Sequence, residues 1–360
     1  MARTTVLQMS ALLSPTSPFL LVLAIFLVSL LIVLSAAAWF TRRLEALCDR
    51  LDLSAGMLSI LSALGANIPN YVASIVAIAN GQQDVGLGII IGSNIYNLAI
   101  ILGISALAAP GSHGIHLRLK EKHDVLIITY YAFAITLTTL VAVWLLPRTS
   151  FAVPLYGQPL TLVPVILALI LTIAIFGSLV LHIVRRPHPP HMGSTVQQGE
   201  STSRTLSVSL KRLIAEVLFA LVIALGGVIV MVQSGEQLTA DMHMPAVLAG
   251  LLVLAVATSL PNTVVAVILV RTGRMAACVE EIFSSNSINA ALGIALPLLL
   301  WRALLQDHLL LVLDGPFVVV LTVGMIICIR MSRLKRITGL LLLLSYAVWV
   351  GLHLVLDVRL

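Results

Sequence analysis

One stretch of this chain occurs twice, and it narrows what the rest can fold into. Residues 63–97 read A-L-G-A-N-I-P-N and, after a gap, S-N-I-Y-N; residues 255–289 read A-V-A-T-S-L-P-N and then S-N-S-I-N. Laid over each other at an offset of 192, the copies agree at Ala63/Ala255, Pro69/Pro261, Asn70/Asn262, Gly81/Gly273, Ser93/Ser285, Asn94/Asn286 and Asn97/Asn289. Each copy sets a proline and several amides inside apolar segments long enough to cross a bilayer. Broken helices and buried amides are costly in lipid, and they are tolerated mainly where backbone lines a cavity or meets protein. Matching breaks in two halves of one chain point to a transporter's binding site.

Composition makes the membrane the solvent. Apolar residues are 59% of the 360 and charged residues 10%, against about 45–50% and about 25% in soluble domains. Ten segments approach the ~20 residues a spanning helix needs: about 18–40, 52–79, 84–109, 124–146, 160–184, 212–233, 244–270, 276–300, 308–329 and 337–356. The first is longer than a signal-peptide core and its charges follow it, so it reads as a membrane helix. The formal charge of +6 sits almost wholly in short loops, which excludes a nucleic-acid surface. Alternate loops hold 17 of the 21 Lys and Arg on one side and Arg3, Arg148, Arg302 and Arg359 on the other. That asymmetry fits ten spans with both termini outside.

Five spans precede the loop at 186–211 and five follow it, so the second half enters the membrane from the opposite side. The predicted fold is an all-α polytopic membrane protein of two inverted five-helix repeats, 1–185 and 212–360, joined by a cytoplasmic linker at 186–211. His188 and His191 in the linker have no further ligands near them in sequence and read as ordinary linker residues. Cys48, Cys278 and Cys328 are scattered, without metal or disulfide spacing.

Within each repeat the proline deprives a carbonyl four residues earlier of its partner, which is that of Gly65 or of Ala257. Asn70 and Asn262 follow the prolines. Ser93 and Asn97 lie four apart on one helix face, as do Ser285 and Asn289. Gly81 and Gly273 mark the turns between the paired helices. The set is a ring of amide, hydroxyl and backbone oxygens suited to replacing a cation's hydration shell. The competing reading, serines and asparagines gluing helices together, accounts poorly for two copies in opposed halves.

The repeated P-N and S-N-x-x-N resemble the two alpha repeats of the cation/calcium exchanger superfamily, whose usual pattern is G-T-S-x-P-E followed by G-S-N-I-F-N. Gly103 to Leu107, Asp124, Asp314, and Gly339 to Leu342 with Tyr346 extend the likeness over most of the chain. The resemblance implies the sodium/calcium-exchanger-like fold, antiport by alternating access, and movement of the first and sixth helices. It adds Ala63, Ala255, Asn67, Thr258 and Ser259 to the ion-binding candidates Asn70, Asn97, Asn262, Asn289, Ser93 and Ser285.

Departures from the pattern matter most. Asn70 and Asn262 stand where the family places ion-binding glutamates, and Ala66-Asn67 replaces Thr-Ser, whereas Thr258-Ser259 keeps it. Calcium affinity depends partly on ligand charge, and neutral oxygens suit a monovalent ion. The expected cargo is therefore Na+ or another monovalent cation rather than Ca2+, with no cofactor and no resident metal. Glu281, four residues before Ser285, is a candidate acid on the access path, or else a surface partner of Arg271 or Arg274. Asp84 reads as a helix cap or a vestibule charge, Asp124 and Asp314 read as helix starts, and His182 and His353 have no evident partner. The partners implied are lipid and inorganic cations, and the implied location is a prokaryotic plasma membrane. A transport-inactive scaffold or sensor on the same fold is the alternative. No catalytic motif occupies the membrane segments.

Overall fold

The computed structural model describes residues 18–51, 55–111, 114–146, 163–185, 209–242, 248–301, 307, 309–332 and 334–356. His188, His191 and most of the linker lie outside them. Among the described residues, nine helices are long and apolar enough to cross a membrane. These are α1 (Phe19–Arg50), α4 (Gln83–Ala108), α5 (Leu119–Trp144), α6 (Val163–Val184), α7 (Leu210–Asp241), α8 (Ala249–Arg271), α9 (Met275–Leu300), α10 (Leu310–Arg330) and α11 (Arg336–Leu356). The tenth span is broken into α2 (Ala55–Ala66) and α3 (Ile68–Ala79).

The 192-residue offset holds in three dimensions. α4 shifted by 192 coincides with α9, and both widen into a π turn at the shared asparagine, Asn97–Ile101 and Asn289–Ala295. The turns before them are built alike. Gly81 N–H donates to Ile78 O and Gln82 N–H to Ala77 O; Gly273 N–H donates to Val270 O and Arg274 N–H to Leu269 O. Both glycines have positive φ, 83° and 78°, the left-handed end of a helix that glycine adopts without a Cβ penalty.

The prolines act unequally, contrary to the expectation of two equal breaks. Asn67 leaves the helix at φ −93°, ψ 0°, and Pro69 opens α3. Pro261 lies within a continuous α8, whose π turn comes earlier, at Ala249–Leu254. At the break the Asn67 side-chain N–H joins its backbone N–H on the Ala63 carbonyl, at 2.6 and 3.1 Å.

α1 and α7 are the longest helices, 32 residues each, or about 48 Å against a hydrocarbon core of about 30 Å. Their buried residues follow a four-three spacing. Val22, Phe26, Ser29, Val33, Ala36 and Phe40 line one seam, and Leu213, Val217, Ala220, Ala224, Val228 and Met231 line the other. The two seams pack against each other, with small residues allowing close approach. The opposite faces expose Leu20, Leu27, Leu31, Leu218, Phe219 and Val222, as lipid-facing surfaces require.

α4 lies deep in the bundle and crosses α8 closely. A Cβ at Gly92 would stand 2.5 Å from the Leu251 carbonyl oxygen and 2.8 Å from Leu251 Cα, backbone that cannot step aside. Gly92→Ala is expected to push the helices apart and cost about 1–3 kcal/mol, seen as a lower melting temperature in detergent.

Two residues read as unremarkable in sequence form a buried pair. Asp314 Oδ1 accepts from Trp349 Nε1 at 2.7 Å and lies 2.7 Å from His353 Nε2, with Asp314 and His353 fully buried. Asp314 is thus more than a helix start, and His353 has a partner. The two are 39 residues apart on different helices, a juxtaposition that only the packing of α10 on α11 creates.

Candidate functional site

The broken span and α4, α8 and α9 bring their polar residues to the middle of the bundle. Asn67, Asn70, Ser93, Asn97, Thr258, Ser259, Asn262, Ser285 and Asn289 are all buried. Their bonds run largely from one repeat to the other. Asn67 Nδ2 donates to Ser285 Oγ at 2.7 Å, while Asn67 Oδ1 accepts from Asn70 Nδ2 at 3.2 Å and Asn262 Nδ2 at 2.8 Å. Asn70 Nδ2 also reaches Asn289 Oδ1, at 3.4 Å.

Asn94 and Asn286 complete the network. Asn97 Nδ2 donates to Asn286 Oδ1 at 2.8 Å, and Asn289 Nδ2 donates to Asn94 Oδ1 at 3.0 Å. A shift of 192 converts the donor and acceptor of the first bond into residues of the second, so an approximate two-fold relates them. Asn94 and Asn286 were missed as site residues although both lie inside S-N-x-x-N and match at the offset. That match was the available signal.

Two backbone carbonyls fix which end of each amide is nitrogen. A carbonyl only accepts, so the Asn67 atom 2.6 Å from Ala63 O must be the donor. Asn67 Oδ1 then faces Asn70 and Asn262, whose nitrogens must point to it. Asn286 Nδ2 is likewise set by the Asn94 carbonyl, at 3.3 Å, and in turn orients Asn97. The chain of assignments leaves Asn70 Oδ1, Asn97 Oδ1, Asn262 Oδ1 and Ser259 Oγ buried without a hydrogen-bond partner. Each such group costs about 1–3 kcal/mol, and buried polar groups are rarely left so. Oxygens of this kind, without a proton to give in the case of the amides, can serve a cation.

Backbone oxygens that accept side-chain bonds here are those of Ala63, Asn94, Leu254 and Ala255. The Ser93 hydroxyl donates to Ala255 O at 3.4 Å. The Thr258 hydroxyl is held by Leu254 O at 2.7 Å and Ala255 O at 3.2 Å. Glu281 is not a surface residue: it is 3% exposed, and its Oε1 accepts from Ser285 at 2.9 Å. The prolonged contact is directional, running from the Asn67 amide through the Ser285 hydroxyl to the carboxylate.

Two inverted repeats that share a buried oxygen-rich site define a membrane protein of the transporter class. A family model described as sodium/calcium exchanger protein matches residues 21–187 and 213–355. The chain belongs to that family, whose members are transporters and not enzymes. The sodium/calcium exchanger MaX1 of Methanosarcina acetivorans is 26% identical over 113 residues, 31% of this chain and 32% of that protein. The inner membrane protein YrbG of Escherichia coli is 30% identical over 92 residues, 25% of this chain and 28% of its own. These relatives are thus matched over about a third of their length or less. The solved sodium-calcium exchanger NCX_Mj, soaked with 10 mM Na+ and zero Ca2+, shares the fold, with a TM-score of 0.63 at 16% identity. The superposition covers 93% of this chain and 99% of that one.

Proposed function

We propose that this protein is a secondary cation antiporter that works by alternating access and carries a monovalent cation, Na+ foremost, in place of calcium. The observation that carries this reading is the set of partnerless buried oxygens at Asn70, Asn97, Asn262 and Ser259, drawn from both repeats. The ring itself holds no carboxylate, so a divalent ion would keep two unneutralised charges in a low-dielectric interior. A single charge suits the single nearby acid, Glu281. The four helices that carry the site move ions between the two sides while α1 and α7 shift against them. The arginine-rich loops face the cytoplasm and both termini lie outside, in a prokaryotic plasma membrane.

The test is an ion screen on purified protein followed by flux in liposomes. A ligand present at 100 times its Kd stabilises the folded state by about 2.7 kcal/mol. Melting should therefore rise with Na+ and not with Ca2+ or Mg2+, and a Na+ gradient should drive counter-transport. No thermal response to Na+, K+, Ca2+, Mg2+, Mn2+ or pH would instead support the scaffold reading.

Glu281 supplies a further expectation. A full charge about 10 Å from an ion, at an effective dielectric constant of about 20, is worth about 1.7 kcal/mol. Glu281→Gln should thus weaken Na+ binding on the order of tenfold, measured by the Na+ concentration at half-maximal stabilisation. An unchanged midpoint would remove Glu281 from the site's electrostatics.

A further inference from the structure

The two repeats do not use their equivalent groups alike. In one, the Asn67 side-chain nitrogen stands between the Ala63 carbonyl oxygen, 2.6 Å away, and the Ser285 hydroxyl, 2.7 Å away. Shifted by 192, those three positions become Ser259, Ala255 and Ser93. There the Ser93 hydroxyl lies 3.4 Å from the Ala255 carbonyl directly. Ser259 bonds neither of them, and its Oγ is buried without a partner.

An amide NH2 has two donors and no acceptor, and here both donors are spent on oxygens that a cation would also seek. Behind Ser285 stands the Glu281 carboxylate, which favours a positive occupant on the near side of that hydroxyl. Its offset partner in the other repeat is Ile89, so the charge backs only the filled copy. The open copy has the spacing for an ion. Two oxygens each about 2.4 Å from one hard cation, and at right angles to each other, stand about 3.4 Å apart.

Resting on the reading above that the shared oxygens take a cation, we propose that the Asn67 amide is a built-in substitute for one. It fills one of two symmetry-related half-sites, and a single cation binds at the other, between Ser93, the Ala255 carbonyl, Ser259 and Asn70. The stoichiometry of this chain is then set by one side chain. Serine at position 67, matching Ser259, opens a second half-site; asparagine at position 259, matching Asn67, closes the first.

The test counts ions per chain on purified full-length protein in detergent, with radioactive Na+, Rb+ (standing for K+) and Ca2+ supplied singly. The parent protein should bind one ion, Asn67→Ser two, Ser259→Asn none, and the exchange of both residues one again. Elution profile and melting confirm that each variant is folded. A folded Asn67→Ser that binds no more than the parent would overturn the proposal, and so would a Ser259→Asn that retains the parent's full binding. Should Asn67→Ser fail to fold, Ser259→Asn decides alone. A parent that binds nothing beside an Asn67→Ser that binds one ion would uphold the filled half-site and overturn the transport reading.

Discussion

Replacing Asn70 and Asn262 together with glutamate is expected to give this protein a calcium site. Both amides now donate to Asn67 Oδ1. Two carboxylates there would remove both donors and set like charges against each other and against that oxygen. Without a cation the double variant should melt well below the parent. With Ca2+ at 100 times its Kd it should recover about 2.7 kcal/mol, and vesicles carrying it should take up Ca2+ where the parent's do not. Either single replacement supplies half the charge and should give a weaker response. A folded double variant that neither binds nor moves Ca2+ would show that missing charge is not what sets the parent's selectivity.

The second large effect lies away from the site. His353→Ala should cost about 3–5 kcal/mol, because removing one member of a buried pair strands the other's charge. Asp314 would keep its bond from Trp349 but lose the group that balances it. Adding Asp314→Asn removes the stranded charge and preserves an acceptor for the indole N–H, so the double variant should be more stable than His353→Ala alone. Thermal melting of the three proteins in one detergent measures both effects. If His353→Ala melts within about 1 kcal/mol of the parent, the pair contributes little to holding α10 against α11.

What the sequence could disclose follows from where each signal was written. The offset of 192, the glycine turns and the S-N-x-x-N faces are local patterns, and each has its counterpart in the helices, the π turns and the network. The two prolines looked equivalent in sequence yet broke only one helix. The two copies differ at the preceding position, where the Asn67 side chain bonds the Ala63 carbonyl and the Ser259 hydroxyl has no partner. Glu281 was ambiguous because its helix position allowed either a surface or an inward reading, and only the packing of α9 buries it. The Asp314–His353 pair was illegible for the same reason as most long-range contacts, since neither residue carries any mark of the other.

The amide network has a mechanical consequence. Seven of its bonds cross from one repeat to the other: Asn67–Ser285, Asn70–Asn289, Asn262–Asn67, Asn97–Asn286, Asn289–Asn94, Asn286 to the Asn94 backbone, and Ser93 to the Ala255 backbone. The halves are stitched at their centre by groups that bulk water does not reach. Parting them on either side must unpick stitches one by one, and whatever enters has to offer the freed oxygens something better than one another. The plug that keeps the two aqueous compartments apart is therefore woven from the same threads that would grip the cargo.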